Sequence, residues 1–270
     1  MSRCWFELDG DADKDVLLSL PAGATPGIDG DKAAADAAAD HLRDELSDLQ
    51  ARLYAEQKHK VLIVLQAMDT GGKDSTIRAV LGPLNPQGVR VWNFKAPTPA
   101  ELRHDFLWRV HRRVPGAGYI GVFNRSHYED VVVVRVKGLA PEEVWRRRYE
   151  HINAFEKLLH DEGVQVVKFF LHISKDYQRE RLLRRLRKKD KQWKFDPQDL
   201  KERARWDDYQ RAYETAIGRC STAHAPWYVV PAEARWFRDL LVATVLVDLL
   251  DAMQLEFPRP PFDPGDIRVD

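Results

Sequence analysis

The densest chemistry in the chain lies in Val64-Leu65-Gln66-Ala67-Met68-Asp69-Thr70-Gly71-Gly72-Lys73-Asp74-Ser75-Thr76-Ile77. Branched apolar residues, suited to a buried strand, give way to two glycines and a lysine, and a helix is expected to start near Asp74. A phosphate-cradling loop requires that context. Glycines let successive backbone N–H groups turn inward, and a helix N-terminus adds roughly half a positive charge. Lys73 then neutralises phosphate oxygens, with Thr70, Gly71, Gly72, Asp74, Ser75 and Thr76 completing the cradle. The pattern G-x-x-x-x-G-K-[ST] is met imperfectly, because Ala67 and Asp74 stand where it has a glycine and a hydroxyl. The usual magnesium contact must come from elsewhere, and Asp69, Asp74 and Ser75 are the candidates. The bland competitor is a Gly-Gly turn beside a surface lysine.

Three other segments carry candidate chemistry. Val122-Phe123-Asn124-Arg125 ends an expected strand, at the carboxyl edge where parallel sheets place ligands. Asn124 can orient a water or a phosphate oxygen, Arg125 offers a planar fork suited to phosphate, and Glu129 can reach a metal through water. Asp69 would then be the principal magnesium carboxylate or base, and Asp69, Lys73, Asn124 and Arg125 form the expected catalytic set, with metal candidates Asp69, Asp74 and Glu129. Residues 179–194 hold nine basic side chains against Glu180 and Asp190. Arg181, Arg184, Arg185 and Lys188 fall on one helical face by i, i+3, i+4 spacing. In a chain whose 42 basic and 42 acidic residues cancel, such a segment is a local polyanion site. Its single aromatic, Trp193, argues against a nucleic-acid strip. Phe94, Lys95 and Pro97, with Glu129, are the expected nucleotide side, although core packing explains Phe94 and Trp92 equally well. His127 and His172 receive no catalytic role.

The elements that must position these groups follow from periodicity. Residues 61–65, 89–94, 119–123, 164–173 and 227–230 read as strands. Helices are expected over 101–113, 141–161, 175–190, 198–218 and 235–253, and strands alternating with helices indicate a parallel sheet covered on both faces. Residues 21–31 read as a linker, so 1–31 form an N-terminal segment, 32–256 one domain and 257–270 an extended tail with four prolines. In an alanine-rich helix after the linker, Leu42, Leu46, Leu49 and Leu53 make a narrow apolar seam, for which packing on the same domain is favoured over a subunit contact. Cys4 and Cys220 read as ordinary reduced thiols. The first residues break into acids before any signal-peptide run, and no stretch approaches the ~20 apolar residues of a membrane span. A cytoplasmic enzyme with no membrane partner is the expectation.

From about Leu42 to Glu256 the chain resembles the family-2 polyphosphate kinases. The resemblance rests on Met68-Asp69-Thr70-Gly71-Gly72-Lys73-Asp74, Phe94-Lys95-Ala96-Pro97-Thr98, His104-Asp105-Phe106-Leu107-Trp108-Arg109 and Phe123-Asn124-Arg125-Ser126-His127-Tyr128-Glu129-Asp130-Val131. His172-Ile173-Ser174-Lys175, Trp193-Lys194-Phe195, Arg205-Trp206-Asp207-Asp208-Tyr209 and Pro226-Trp227-Tyr228-Val229-Val230-Pro231 continue it. It implies a phosphate-loop kinase fold, a three-layer α/β/α sandwich with a parallel five-stranded sheet and a helical lid over about 175–218. It also implies Mg2+-dependent phosphoryl exchange between inorganic polyphosphate and adenine nucleotides, guanine nucleotides being left open, and a homo-oligomer. Asn124, where other branches usually carry aspartate, and Glu129 resemble the subgroup that accepts AMP as well as ADP. The alternatives are an ATP-dependent nucleoside or nucleotide kinase and a non-enzymatic polyanion-binding module.

Overall fold

The computed structural model describes residues 7–8, 20–26 and 32–269. Cys4, residues 27–31 of the expected linker and most of the N-terminal segment lie outside the described residues.

All five expected strands form: β2 (Lys60–Ala67), β3 (Val89–Asn93), β4 (Ile120–Asn124), β5 (Val164–His172) and β6 (Trp227–Pro231). They are parallel throughout, and a two-residue strand β1 (Glu7–Leu8) adds an antiparallel edge, in the order β1-β6-β5-β2-β4-β3. The branched run that fills β2 is buried on both faces, as a central parallel strand requires. Chain order reverses across β2, whose neighbours are β4 and β5. Its carboxyl end is therefore a topological switch point, where such sheets leave a crevice.

The helices are α1 (Lys32–Glu56), α2 (Lys73–Thr76, continuing as a π-helical turn Ile77–Leu81), α3 (Trp108–His111) and α4 (Val133–Lys137), then α5 (Glu142–Asp161), α6 (Lys175–Arg187), α7 (Gln198–Ala204), α8 (Trp206–Cys220) and α9 (Arg235–Asp251). The leucine seam lies within the chain: Leu46, Leu49 and Leu53 are buried in the main core, and Leu42 packs with Ala35, Ala39 and Leu240 of α9. The helix expected over 101–113 is corrected to a 3-10 turn, Glu101–Arg103, and the single turn α3. Asp105 breaks it, because its Oδ1 accepts from the Leu107 and Trp108 N–H groups, a local bond that competes with helix continuation. The tail from Phe257 is exposed, with one 3-10 turn at Pro264–Asp266.

One polar group inside the sheet had no place in the periodicity. Lys168, midway along β5, is fully buried, and its Nζ donates to Glu156 Oε2, to Tyr128 OH at 2.9 Å and to Cys220 O at 2.6 Å. Tyr128 OH and His127 Nε2 meet Glu156 Oε1 at 2.9 and 3.0 Å. Burial raises the Glu156 pKa, but Lys168 and His127 outweigh it and hold the carboxyl below its ordinary range. The network pins α5 and the segment after β4 to the back of the sheet. Lys168→Met strands the Glu156 charge and is expected to cost about 3–5 kcal/mol in urea unfolding. Adding Glu156→Gln should recover part of that loss; full additivity of the two would contradict the pairing.

Candidate active site

The loop after β2 is shaped by close approach. A Cβ on Gly71 would sit 2.6 Å from Ala67 Cβ and 2.9 Å from Met68 O. Ala67, the mismatch to the strict motif, is thus accommodated because residue 71 has no side chain. Gly72 has φ +105° and Thr70 φ +66°, left-handed conformations that turn the backbone into the start of α2. The Gly72 carbonyl then accepts from Ser75 N, Thr76 N and Ser75 Oγ at 2.8–2.9 Å. Thr70 Oγ1 is buried without a partner, as suits a donor to a phosphate oxygen.

Lys73 is 9% exposed and its Nζ donates to Ala67 O at 3.0 Å. Burial first, then the Arg125 charge, push its pKa down to about 8, against the pull of Asp69, Glu129 and Asp74. Arg125 emerges from β4 with φ +61°, a strained conformation for a non-glycine residue, worth of order 1–3 kcal/mol. Its N–H donates to Leu65 O at 3.1 Å, its Nη2 to Asp69 Oδ1 at 2.9 Å, and its Nη1 lies 3.8 Å from Glu129 Oε2. Burial raises the Glu129 pKa, with Arg125 and Lys73 pulling the other way, and the Gln66 amide donates to Glu129 Oε1 at 3.0 Å in the orientation that satisfies both its ends. Asn124 Nδ2 donates to Asp74 Oδ1 at 2.7 Å, so the carboxylate that replaces the motif's hydroxyl is oriented by the end of β4.

Two clefts open from this centre. One, about 510 Å³, is lined by Asp69–Ser75, by Asn124 and Arg125, and by Arg181, Arg184 and Arg185 of α6. Its wall carries ten basic side chains against Asp69 and Asp74. The other, about 350 Å³, mixes apolar walls (Pro97, Val133, Val134 and Leu139) with Arg109, Asp130, Arg148, Lys137, Glu202, Tyr209 and Tyr213. Asp69, Lys95 and Arg125 line both. The second pocket is braced by Arg109, which donates to Lys95 O at 2.8 Å and lies 3.7 Å from Asp130, and roofed by Glu202, which takes Lys137 Nζ at 2.6 Å and Tyr209 OH at 2.5 Å.

The expected site residues are mostly brought together, and three lie elsewhere than expected. Lys188 lies away from the cleft, since α6 ends at Arg187 and the exposed lysine leaves the helical face. Lys191 and Lys194, on a 3-10 turn, take its place, and Arg78 and Arg235 join them. Thr76 is 2% exposed and faces away, one side of α2 being packed against the protein. Phe94 is packed edge-on against Phe123 at 4.9 Å and touches the basic cleft rather than the second pocket, where Lys95 and Pro97 do appear. Among the described residues no three His, Cys, Asp or Glu side chains form a ready-made metal cage.

A family model described as Polyphosphate kinase 2 (PPK2) matches residues 29–258. The chain belongs to this family. It is 55% identical over 236 residues to the AMP/ADP-polyphosphate phosphotransferase of Meiothermus ruber, covering 87% of this chain and 88% of the relative. It is 46% identical over 228 residues to the ADP-polyphosphate phosphotransferase of Rhodopseudomonas palustris, covering 80% and 79%. The crystal structure of polyphosphate kinase 2 from Arthrobacter aurescens TC1 superposes with a TM-score of 0.90 at 42% identity, over 98% of this chain and 97% of that one. Polyphosphate kinase 2 chains carry the phosphate-loop sheet described above, and this one is an α/β enzyme of the kinase type. Among the described residues no helix is long and apolar enough to cross a membrane.

Lys73 gives the cleft a pH signature. An anion selects the charged amine, so above the pKa of about 8 binding must take up a proton. Tripolyphosphate affinity, measured by calorimetry, should fall as pH rises through about 8. In Lys73→Arg, charged throughout, that fall should disappear.

Proposed function

We propose that the chain transfers the terminal phosphoryl group of inorganic polyphosphate to AMP or ADP, and the reverse. The observation that carries this reading is the meeting of a ten-cation cleft with a mixed apolar and polar pocket at Asp69, Lys95 and Arg125. A long polyanion suits the first and a nucleotide suits the second. An acceptor phosphate oxygen attacks the terminal phosphorus in line, and the bond to the shortened chain breaks, its charge staying on the leaving oxygen. Lys73, Thr70 and the loop amides hold the transferring group; Arg125 and the α6 arginines stabilise the charge that develops. Asn124 fixes Asp74, and Glu129 stands on the acceptor side.

Asp69, Asp74 and Glu129 are hard oxygen donors, and the unpartnered Thr70 Oγ1, next to Asp69 in the chain, suits a phosphate oxygen. This set fits Mg2+, which is usually held by one or two carboxylates plus substrate phosphates rather than by a full protein cage. When bound, the ion neutralises phosphate charge. The segment 175–218 acts as the lid; a cytoplasmic setting belongs to the proposal, as does a homo-oligomer on the family resemblance, the leucine seam being taken up inside the chain.

The test combines purified protein, Mg2+, polyphosphate and AMP or ADP, with chromatography of the nucleotides. New ADP or ATP is expected, and chelating the metal should abolish it. Lys73→Ala and Asp69→Ala should each lower turnover by about 100-fold or more, as removal of a charge-stabilising group does. ATP-dependent phosphorylation of a nucleoside without polyphosphate would favour the ordinary kinase alternative. Polyphosphate binding with no turnover in either direction would leave only the binding module.

A further inference from the structure

Two arginines of α9 approach the phosphate loop, from different sides. Arg235, the first residue of the helix, lines the basic cleft. Arg238, a turn later, is 2% exposed and lies behind the loop. A Cβ built on Gly72 would fall 2.2 Å from Arg238 Nη1 and 3.2 Å from its Cζ. The guanidinium therefore occupies the volume that a side chain at position 72 would need. Its other edge is fixed, since Nε donates to Asp239 Oδ1 at 2.8 Å and Nη2 lies 2.7 Å from the same oxygen. A buried cation is tolerated only when paired in this way. The planar fork spans carboxylate and loop together, which the point charge of a lysine does not.

Gly72 is the residue on which the loop geometry turns. It holds φ +105°, and its carbonyl takes the Ser75 and Thr76 N–H groups, leaving those of Lys73 and Asp74 at the open end of α2. A shift there moves Lys73 directly. Behind Arg238, α9 is held by α1 through Ala35, Ala39 and Leu240. The brace thus runs from the N-terminal helix through α9 to the loop.

We propose that Arg238 is a positioning residue for phosphoryl transfer: clamped by Asp239, its guanidinium packs on Gly72 and fixes the left-handed turn from which Lys73 and the first amides of α2 face the phosphate. It touches no substrate. Its activity readout rests on the phosphoryl-transfer reading given above; its binding readout does not.

The experiment compares wild type with Arg238→Met, Arg238→Lys and Asp239→Asn, well below each protein's melting temperature. Three quantities are read: tripolyphosphate Kd, kcat, and KM for the acceptor nucleotide. Arg238→Met should lower kcat about 10–100-fold, the scale of a misplaced reacting group. It should weaken tripolyphosphate binding several-fold while the acceptor KM stays within about twofold, because the second pocket lies away from α9. Arg238→Lys and Asp239→Asn should fall between Arg238→Met and wild type. Wild-type kcat and tripolyphosphate affinity in folded variants would overturn the proposal, and so would an equal loss on the acceptor side, which marks general loosening. If Arg238→Met does not fold, the other two variants decide by the same criteria. If wild type itself shows no turnover, the phosphoryl-transfer reading fails, and tripolyphosphate affinity alone decides the role of Arg238.

Discussion

Arg125 leaves the end of β4 in a left-handed conformation and lays its guanidinium between Asp69, on the phosphate loop, and Glu129, on the turn that follows. That one cation closes the distance between the two halves of the site. It belongs to the walls of both clefts, it adds to burial in depressing the Lys73 pKa, and its charge restrains the upward push of burial on Glu129. A free arginine would sample many rotamers. Here the strained backbone, the Leu65 carbonyl and two carboxylates narrow the choice, and that pre-organisation is what electrostatic catalysis requires.

Much of the remaining fold serves to keep that centre still. The β4 strand delivers Asn124 and Arg125 in register with Leu65 of β2, and the adjoining turn is anchored from behind through His127 and Tyr128 onto Glu156 and Lys168. The opposite face of the loop is braced by α9. The site is therefore supported by buried charge on two sides, Lys168 with Glu156 behind the turn after β4 and Arg238 with Asp239 behind the loop. Such pairs stabilise little compared with well-packed apolar groups, but removing one partner is costly, so they hold geometry more than they add stability.

The sheet was legible because β2, β5 and β6 are apolar runs with glycine, proline or polar boundaries, and burial on both faces is written in their composition. The loop was legible because Gly71, Gly72 and Lys73 are contiguous. Residues that converge from distant elements were not. Arg109, Asp130 and Arg148 reach the second pocket from three separate segments, and nothing in their local spacing marks them. Arg238 was hidden in a helix that reads as ordinary, although an arginine among apolar residues was a signal. Lys168 offered the same signal, a lysine inside the run from Val164 to Ile173. The misplacement of Lys188 has a different origin: helical spacing predicts a face only as far as the helix runs, and α6 stops one residue short.

In the proposed reaction a phosphate oxygen of the acceptor, held where the two clefts meet, displaces the polyphosphate chain directly, with no group of the protein phosphorylated on the way. The stereochemistry at the transferred phosphorus tests this most directly. A donor carrying an isotopically chiral terminal thiophosphate, incubated with protein, Mg2+ and AMP, should give product with inverted configuration, as one in-line displacement requires. Retention of configuration would mean two displacements through a phosphorylated side chain and would rule out direct transfer.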